Sequence, residues 1–412
     1  MSGAANFRKD AVLRPESETD LAEAIASANS PLRIEGGGTR PVGRCAGKLL
    51  TTSGIAGITL YEPGALTMVA KAGTPLAEIA AALDAENQQL AFEPMDHRPL
   101  LGTDGTPTIG GVFAANVSGP RRIQCGAARD FLLGVRFVDG QGRILSNGGR
   151  VMKNVTGYDL VKLMAGNRGT LGVLSEVSFK VLPQPEATAT VMLEGLDLRD
   201  AVKAMSAALG SPFDVAGAAH VQNKTVLRVE GFVASVTYRA QALSEKLGKF
   251  GAAKTLTNAE ENTSLWQSVR DVTALGTYPA VWRLSLKPGD TESLFLKLRR
   301  LHDGFLGKTI LDWGGGLVWL AADREMLMDM SMQAGPNDHC EPDMGVRVGH
   351  MNLQELAQDL GGHATLIKAP EEVWPHVNAF QPEPPPLAAL SDGIRQKFDP
   401  RGVLNRGLMG GM

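Results

Sequence analysis

The chain has 412 residues, 43% of them apolar and 21% charged, and a formal net charge of −3. That is length enough for two or three domains of an ordinary globular protein, and it carries no basic excess to attract nucleic acid or another polyanion. Its three cysteines, Cys45, Cys125 and Cys340, lie far apart with no Cys-x-x-Cys pair, which excludes an iron–sulfur cluster or zinc ribbon built from this chain alone and makes a disulfide framework unexpected.

The N-terminus, MSGAANFRKD, lacks the basic-then-apolar pattern of a signal peptide, and no apolar run reaches the length of a membrane span. The expectation is a cytoplasmic protein, with any membrane association coming through partners. Residues 15–29 offer Ser17 or Thr19 as caps and place Leu21, Ala24, Ile25 and Ala28 at helical spacing. A short strand at 31–34 then runs into Gly36-Gly37-Gly38-Thr39-Arg40. Three glycines contribute no packing, so they mark close backbone approach or positive φ. Successive N–H groups in such a turn form a nest for an anion, and the Thr hydroxyl and Arg beside it suit a phosphate. A tight surface turn is the competing reading.

Strand-like runs follow at 48–52, 55–61 and 66–72, and a helix starts at Pro75 with a stripe of Leu76, Ile79, Ala80 and Leu83. A second glycine-rich segment spans 100–122, where Thr108-Ile109-Gly110-Gly111 opens a small-residue helix over 112–117. Such a start suits an anion at a helix N-terminus, and it equally suits close packing on a neighbour. Asp139-Gly140 marks a hairpin, 157–164 a helix, and 167–173 a third glycine-bearing turn before a strand at 173–181. A boundary is expected at 183–186. Beyond it, runs at 187–193, 197–209, 215–222, 225–232, 234–250 and 252–256 read as a split βαβ sandwich. Further strands are expected at 280–286 and 309–320, helices at 291–301 and 324–332, a loop at 335–348, a proline linker at 382–386 and a last helix at 387–398. No internal repeat is visible.

Several motifs are absent: Gly-x-Gly-x-x-Gly, a correctly spaced phosphate-loop motif, His-Glu-x-x-His and Gly-x-Ser-x-Gly. Asp338-His339-Cys340-Glu341 has ligand-type side chains, but adjacent loop residues seldom converge on one ion, so no metal is expected. Cys125 reads as a bystander thiol.

The order of the motifs is specific. Gly-Gly-Gly-Thr after a strand, Thr-Ile-Gly-Gly some way on, Asp-Phe-Leu-Leu-Gly-Val (130–135), Gly-Thr-Leu-Gly-Val (169–173) and a terminal Phe-Asp-Pro-x-Gly-Val-Leu-Asn together resemble the FAD domain of the vanillyl-alcohol-oxidase (PCMH-type) flavoproteins. In the second half, VWRLSL (281–286), DWGGGLVWL (312–320) and GGHATL (361–366) resemble the smaller, E-type FAD-binding subunits of bacterial glycolate oxidases. The resemblance implies an α+β chain: a two-subdomain PCMH-type FAD-binding domain (1–185), a reduced, ferredoxin-like α+β domain (186–386), and a C-terminal helix and tail (387–412) returning to the flavin. It implies that Gly36, Gly37, Gly38, Thr39 and Arg40 hold the FAD pyrophosphate, with Thr108, Gly110 and Gly111 opposite. Ser118 and Gly119 would line the flavin, Gly126, Gly172 and Val173 the nucleotide portion, and Asn405 would reach the ring. Many members attach FAD through a His in the first loop. This loop has none, so non-covalent FAD is expected. The implied partners are the larger FAD-binding subunit and the iron–sulfur subunit of a glycolate oxidase, with no nucleic acid.

Oxidising a 2-hydroxy acid needs a hydride acceptor, a cation for the carboxylate and a base for the hydroxyl proton. Candidates in the second half are Arg283, Arg347, His350 and His363. The histidine-rich metal cluster of larger relatives is absent. Two functions therefore stand: electron relay and assembly beside the larger FAD-binding partner, which the missing cluster favours, and as the alternative oxidation of the hydroxy acid (glycolate) by this chain itself, with Arg283 as clamp and His363 as base. A stand-alone FAD oxidase of another alcohol is a third.

Overall fold

The computed structural model describes residues 12–150, 157–299, 308–322, 350–375 and 377–410. The first helix, Glu18–Ala26, starts at a Ser17 capping box with Asp20 and buries Leu21, Ala22 and Ile25. They pack on a small parallel pair, β1 (Leu32–Glu35) and β2 (Lys48–Thr51). The chain terminus completes this unit. Leu32 donates its N–H to Val403 O at 2.7 Å, and Asn405 donates its own to Leu32 O at 3.0 Å, so residues 403–405 lie along β1 like an added strand. Arg401 holds the arrangement shut. Its guanidinium donates to the carbonyls of Ile25, Ala26 and Ala28, at the C-terminal end of the first helix, and to Gly140 O. Cations are favoured at that end of a helix.

The strands β3 (Ile58–Glu62), β4 (Thr67–Lys71), β5 (Gln88–Gln89), β6 (Leu132–Val138), β7 (Ile144–Gly148), β8 (Val173–Lys180) and β9 (Leu182–Pro183) follow. Five of them form an antiparallel sheet in the order β3-β4-β8-β6-β7, and β5 pairs with β9. Helices Leu76–Asp84 and Ile109–Ala115 cover the sheet, around tilted ring contacts among Phe92, Phe113, Phe131 and Phe179 at 5.3–5.6 Å.

The second half is one sheet of eight strands. In chain order they are β10 (Ala187–Glu194), β11 (Val215–Val221), β12 (Lys224–Gly231), β13 (Ala253–Leu256), β14 (Ala280–Ser285), β15 (Thr309–Asp312), β16 (Leu317–Ala322) and β17 (His363–Lys368). Spatially they run β13-β10-β12-β11-β15-β16-β14-β17. The first four strands have the βαββαβ order of a ferredoxin-like unit, and the last four repeat it, with the two units joined where β11 meets β15. The expected run at 309–320 is thus two strands, β15 and β16, split at Trp313–Gly315. The expectation of no internal repeat is corrected: the topology repeats without repeating residues, because a βαββαβ unit asks only for alternating strand patterns and one apolar helix face. An amphipathic helix, Ala259–Arg270, and the edge strand β17 were not anticipated. The expected helix at 324–332 and loop at 335–348 lie outside the described residues.

One face of this sheet is covered by its own helices. The other packs helix Ala259–Arg270 and receives Val42, Met95 and Leu100 from the first half. A buried ion network crosses the same contact. Arg228, 3% exposed, donates to both Glu93 carboxylate oxygens at 2.9 and 2.8 Å, and Arg121 donates its backbone N–H to Glu93 and its guanidinium to Glu230 at 2.6 Å. Burial pushes the Glu93 carboxyl up, but Arg228 and Arg121 outweigh burial and hold it below the ordinary glutamate range. Removing one member leaves the other charge buried and bare. Glu93→Ala is expected to lower stability by about 3–5 kcal/mol in urea unfolding, whereas Glu86→Ala, in an exposed turn just after a helix, stays within about 0.5 kcal/mol.

Candidate active site

A cleft with a cavity volume of about 170 Å³ opens between the small parallel unit, the five-stranded sheet and the tail. Gly36, Gly37, Gly38, Thr39 and Arg40 form one wall. The carbonyls of this loop are already used: Gly36 O accepts the Thr51 hydroxyl at 2.6 Å, Gly37 O accepts Thr106 N–H at 3.1 Å, and Thr39 O accepts the Thr103 hydroxyl at 3.0 Å. The N–H groups of Gly37, Gly38 and Thr39 have no acceptor among the described residues. A cleft wall with a run of unpaired N–H groups has the donors of an anion nest. The glycines have distinct reasons. Gly38 takes a positive φ of 71°. A Cβ on Gly37 would lie 1.6 Å from Thr106 O, and one on Gly36 would lie 2.4 Å from Thr108 Oγ1.

Thr108, Gly110 and Gly111 form the facing wall, at the start of helix Ile109–Ala115. Here the close-packing reading is the apt one. Ile109 N–H goes to Thr74 O, Gly110 N–H to Ala72 O, and Gly111 N–H to the Thr108 hydroxyl at 3.4 Å. This segment offers a ligand room more than donors. Gly172, Val173 and Asn405 also line the cleft. Asn405 is 3% exposed with φ 42°; its Oδ1 accepts Ile34 N–H at 2.7 Å and its Nδ2 donates to Arg168 O at 2.7 Å. Its amide is thus engaged in stapling the tail and the 168 turn to β1.

Three expected residues lie outside the cleft. Ser118 accepts Ala128 N–H at 2.9 Å. Gly119 sits on Glu93, where a Cβ would be 2.3 Å from its carbonyl, and its own O accepts Trp313 Nε1–H at 3.0 Å across the contact with the second sheet. Gly126, at φ 97°, turns over Asp130. They shape the segment after the helix, and motif order alone does not distinguish that from lining a ligand. Cys125 lies with them; its thiol is pushed up to about 11, by burial first and Glu93 second, and it donates to Ala91 O.

Cations gather at the cleft. Arg40 and Arg168 line it, and Arg283, on β14, acts electrostatically on both. Burial lowers Arg40 to about 9, aided by Arg283. Burial likewise drives Arg168 well down, aided by Arg40 and Arg283, and lowers Arg283 to about 10, aided by Arg122. Arg40 Nε and Nη1 have no hydrogen-bond partner among the described residues. Aromatic faces support these groups: Arg168 lies 4.4 Å from the Phe380 ring centroid, while Arg122 and Arg283 lie 4.4 and 5.2 Å from that of Trp313. His97, 7% exposed, lines the cleft beside them and was missed, because a lone His in Asp96-His97-Arg98 has no motif around it. His363 stands opposite Ser285 at the exposed start of β17, on the same sheet face as Arg283. Burial, then Arg283 and Arg122, lowers its pKa. The side chain of His350 is outside the described residues, as are Arg347 and 338–341.

The residues fit FAD on two observations: the N–H groups of Gly37, Gly38 and Thr39, without an acceptor among the described residues, for a pyrophosphate, and the glycine-built walls at 36–38 and 110–111, which put no side chain into the cleft. The nest loop itself carries no His or Cys for a covalent bond. Gly37→Val is expected to part the two glycine segments at the Thr106 carbonyl and to yield protein without flavin absorbance after desalting. Gly64→Ala, where a Cβ would meet nothing within 4 Å, keeps it.

Comparison with known proteins agrees with this geometry. Residues 9–148 match the family described as FAD binding domain. The chain is 33% identical to the glycolate oxidase subunit GlcE of Escherichia coli (strain K12), over 93% of each chain. It is 24% identical to a D-lactate dehydrogenase of Anaerostipes hadrus, over 62% of this chain and 53% of that one. Among solved structures, an alkyldihydroxyacetonephosphate synthase superposes with a TM-score of 0.63 at 15% identity, over 96% of this chain and 76% of that one. FAD is the cofactor, and the chain belongs to the PCMH-type FAD-binding oxidoreductase family that includes the glycolate oxidase subunit GlcE.

Proposed function

We propose that this chain is the FAD-binding subunit of an assembly that oxidises glycolate, or a similar 2-hydroxy acid, to the 2-oxo acid, and that its own cleft receives the acid. The likeness to GlcE and to a D-lactate dehydrogenase supports the substrate class. The implied partners are a larger FAD-binding subunit and an iron–sulfur subunit. The observation that carries an own substrate site is the arginine cluster. Burial first, then Arg283, lowers Arg40; burial first, then Arg40 and Arg283, lowers Arg168; and Arg40 Nε and Nη1 have no hydrogen-bond partner among the described residues. Like charges held together in a poorly solvated cleft are costly unless an anion completes the site. The FAD pyrophosphate has its own nest in Gly37–Thr39, which leaves the guanidiniums for a carboxylate. Arg binds that group bidentately and so fixes its orientation.

When bound, FAD supplies a two-electron hydride acceptor. The chain's own groups do the rest. Arg283, steadied by Trp313, orients the carboxylate from the second sheet while Arg40 and Arg168 do so from the first half. Val42, Met95, Val117 and Leu408 keep the walls of the cleft apolar and limit water. The relay-and-assembly role would require no such cluster.

The test is the visible spectrum of the purified FAD-loaded chain under anaerobic glycolate. Flavin bleaching is expected without partners. In Arg283→Ala, FAD content stays unchanged and the half-saturating glycolate concentration rises about tenfold to a hundredfold, the effect of losing a charge-assisted bond of roughly 1.5–3 kcal/mol. Flavin that stays oxidised alone, yet bleaches equally in wild type and Arg283→Ala once the larger FAD-binding and iron–sulfur partners are added, would establish the relay role instead.

A further inference from the structure

We propose that His97 is the group that accepts the hydroxyl proton of the acid, the part that residue pattern alone assigns to His363. This rests on the hydroxy-acid reading above. The ring lines the same cleft as Arg40 and Arg168, whereas His363 stands exposed at a sheet edge. A neutral imidazole carries one N–H and one acceptor nitrogen, and the Met95 backbone favours a proton on this ring.

The charges around it explain why it would act only when substrate is present. Arg40 faces it from the loop after β1, Arg168 from the turn before β8, and Arg283 from β14. The nearby acids are already engaged: Asp96 pairs with Arg98 at 2.7 Å, and Asp271 pairs with Arg270 at 2.7 Å while accepting Asp96 N–H. His97 therefore sits in a cationic field, offset at Arg283 by the buried Asp312. Burial first, then these arginines, hold its pKa well below the ordinary histidine value, so in the free cleft it is a neutral imidazole. A carboxylate settling among the arginines offsets that field and makes the imidazole a better proton acceptor as the hydroxyl arrives. In the oxidation the O–H proton passes to the free ring nitrogen, the C–H hydrogen leaves with its electron pair to the acceptor that bound FAD supplies, and the C–O bond becomes a carbonyl. The imidazolium afterwards returns its proton to water.

The coupling is reciprocal, so anion binding must draw in protons. The probe is oxalate, a carboxylate with no hydrogen to lose, titrated calorimetrically into the FAD-loaded chain in two buffers of different ionisation enthalpy. Wild type is expected to take up a fraction of a proton per oxalate, and more as pH falls from about 8 to about 6, toward the ordinary histidine value. His97→Gln and His97→Asn should keep full flavin absorbance and bind oxalate within about threefold, but lose the part of the uptake that grows as pH falls toward about 6. Their anaerobic reduction by glycolate should fall about 10²–10⁴-fold, the usual weight of a general base. Proton uptake in both variants equal to wild type, or reduction within threefold of it, overturns the role of His97 while leaving the carboxylate site standing. Failure of oxalate to bind wild type overturns the carboxylate site, and this inference with it.

Discussion

The architecture of the cleft depends on two stretches of main chain touching with no side chain between them. Thr106 N–H reaches Gly37 O at 3.1 Å, a Cβ on Gly105 would sit 1.9 Å from that same oxygen, and one on Gly37 would sit 1.6 Å from Thr106 O. Contact at this range consumes the carbonyls of the first loop, while the N–H groups of Gly37, Gly38 and Thr39, beside the cavity, have no acceptor among the described residues. A row of free donors is a ready anion site that needs no lysine or arginine to create it. The second glycine segment is a backing plate. Its own donors are satisfied by Ala72, Thr74 and Thr108.

The tail makes this unit a closed one. Two parallel strands alone bury little, and here Val403 and Leu404 supply the third layer edge while Asn405 and Arg401 use polar groups to lock it. Asn405 takes a left-handed backbone, which Asn tolerates better than most residues. Its amide bonds both β1 and the carbonyl of Arg168. The last residues of the chain thereby position a cation that no sequence motif singles out.

The second sheet contributes reach. Two ferredoxin-like units side by side give a face wide enough to pack on the first half, and the ion network of Glu93, Arg121, Arg228 and Glu230 fixes the contact. Its Asp312–Gly315 turn then delivers Trp313 against Gly119, with Arg122 and Arg283 on its ring. Asp312 itself is buried, its carboxyl pushed up to about 7 by burial against Trp313 N–H and Arg228. The electrostatic character of the cleft therefore comes from residues on four separate elements, none of them basic-rich in sequence.

What the sequence determined by itself is local. Cap residues, glycine triplets and strand periodicity belong to contiguous stretches, and they suffice for the elements of the first half, the nest at Gly36–Thr39, the βαββαβ order after 187 and the absence of a cluster-forming cysteine set. Ordered motifs added the flavoprotein resemblance. Tertiary structure decided everything that depends on distance through space. It gave Ser118, Gly119 and Gly126 contacts of their own, gave Gly110 and Gly111 N–H partners, set His363 at the exposed start of an edge strand and brought His97 into the electrostatic reach of Arg40, Arg168 and Arg283. Those four side chains are widely spread along the chain, and a Coulomb field depends on separation in space, not on separation in sequence. No periodicity or spacing encodes that meeting; only the packing of two sheets and a returning tail does.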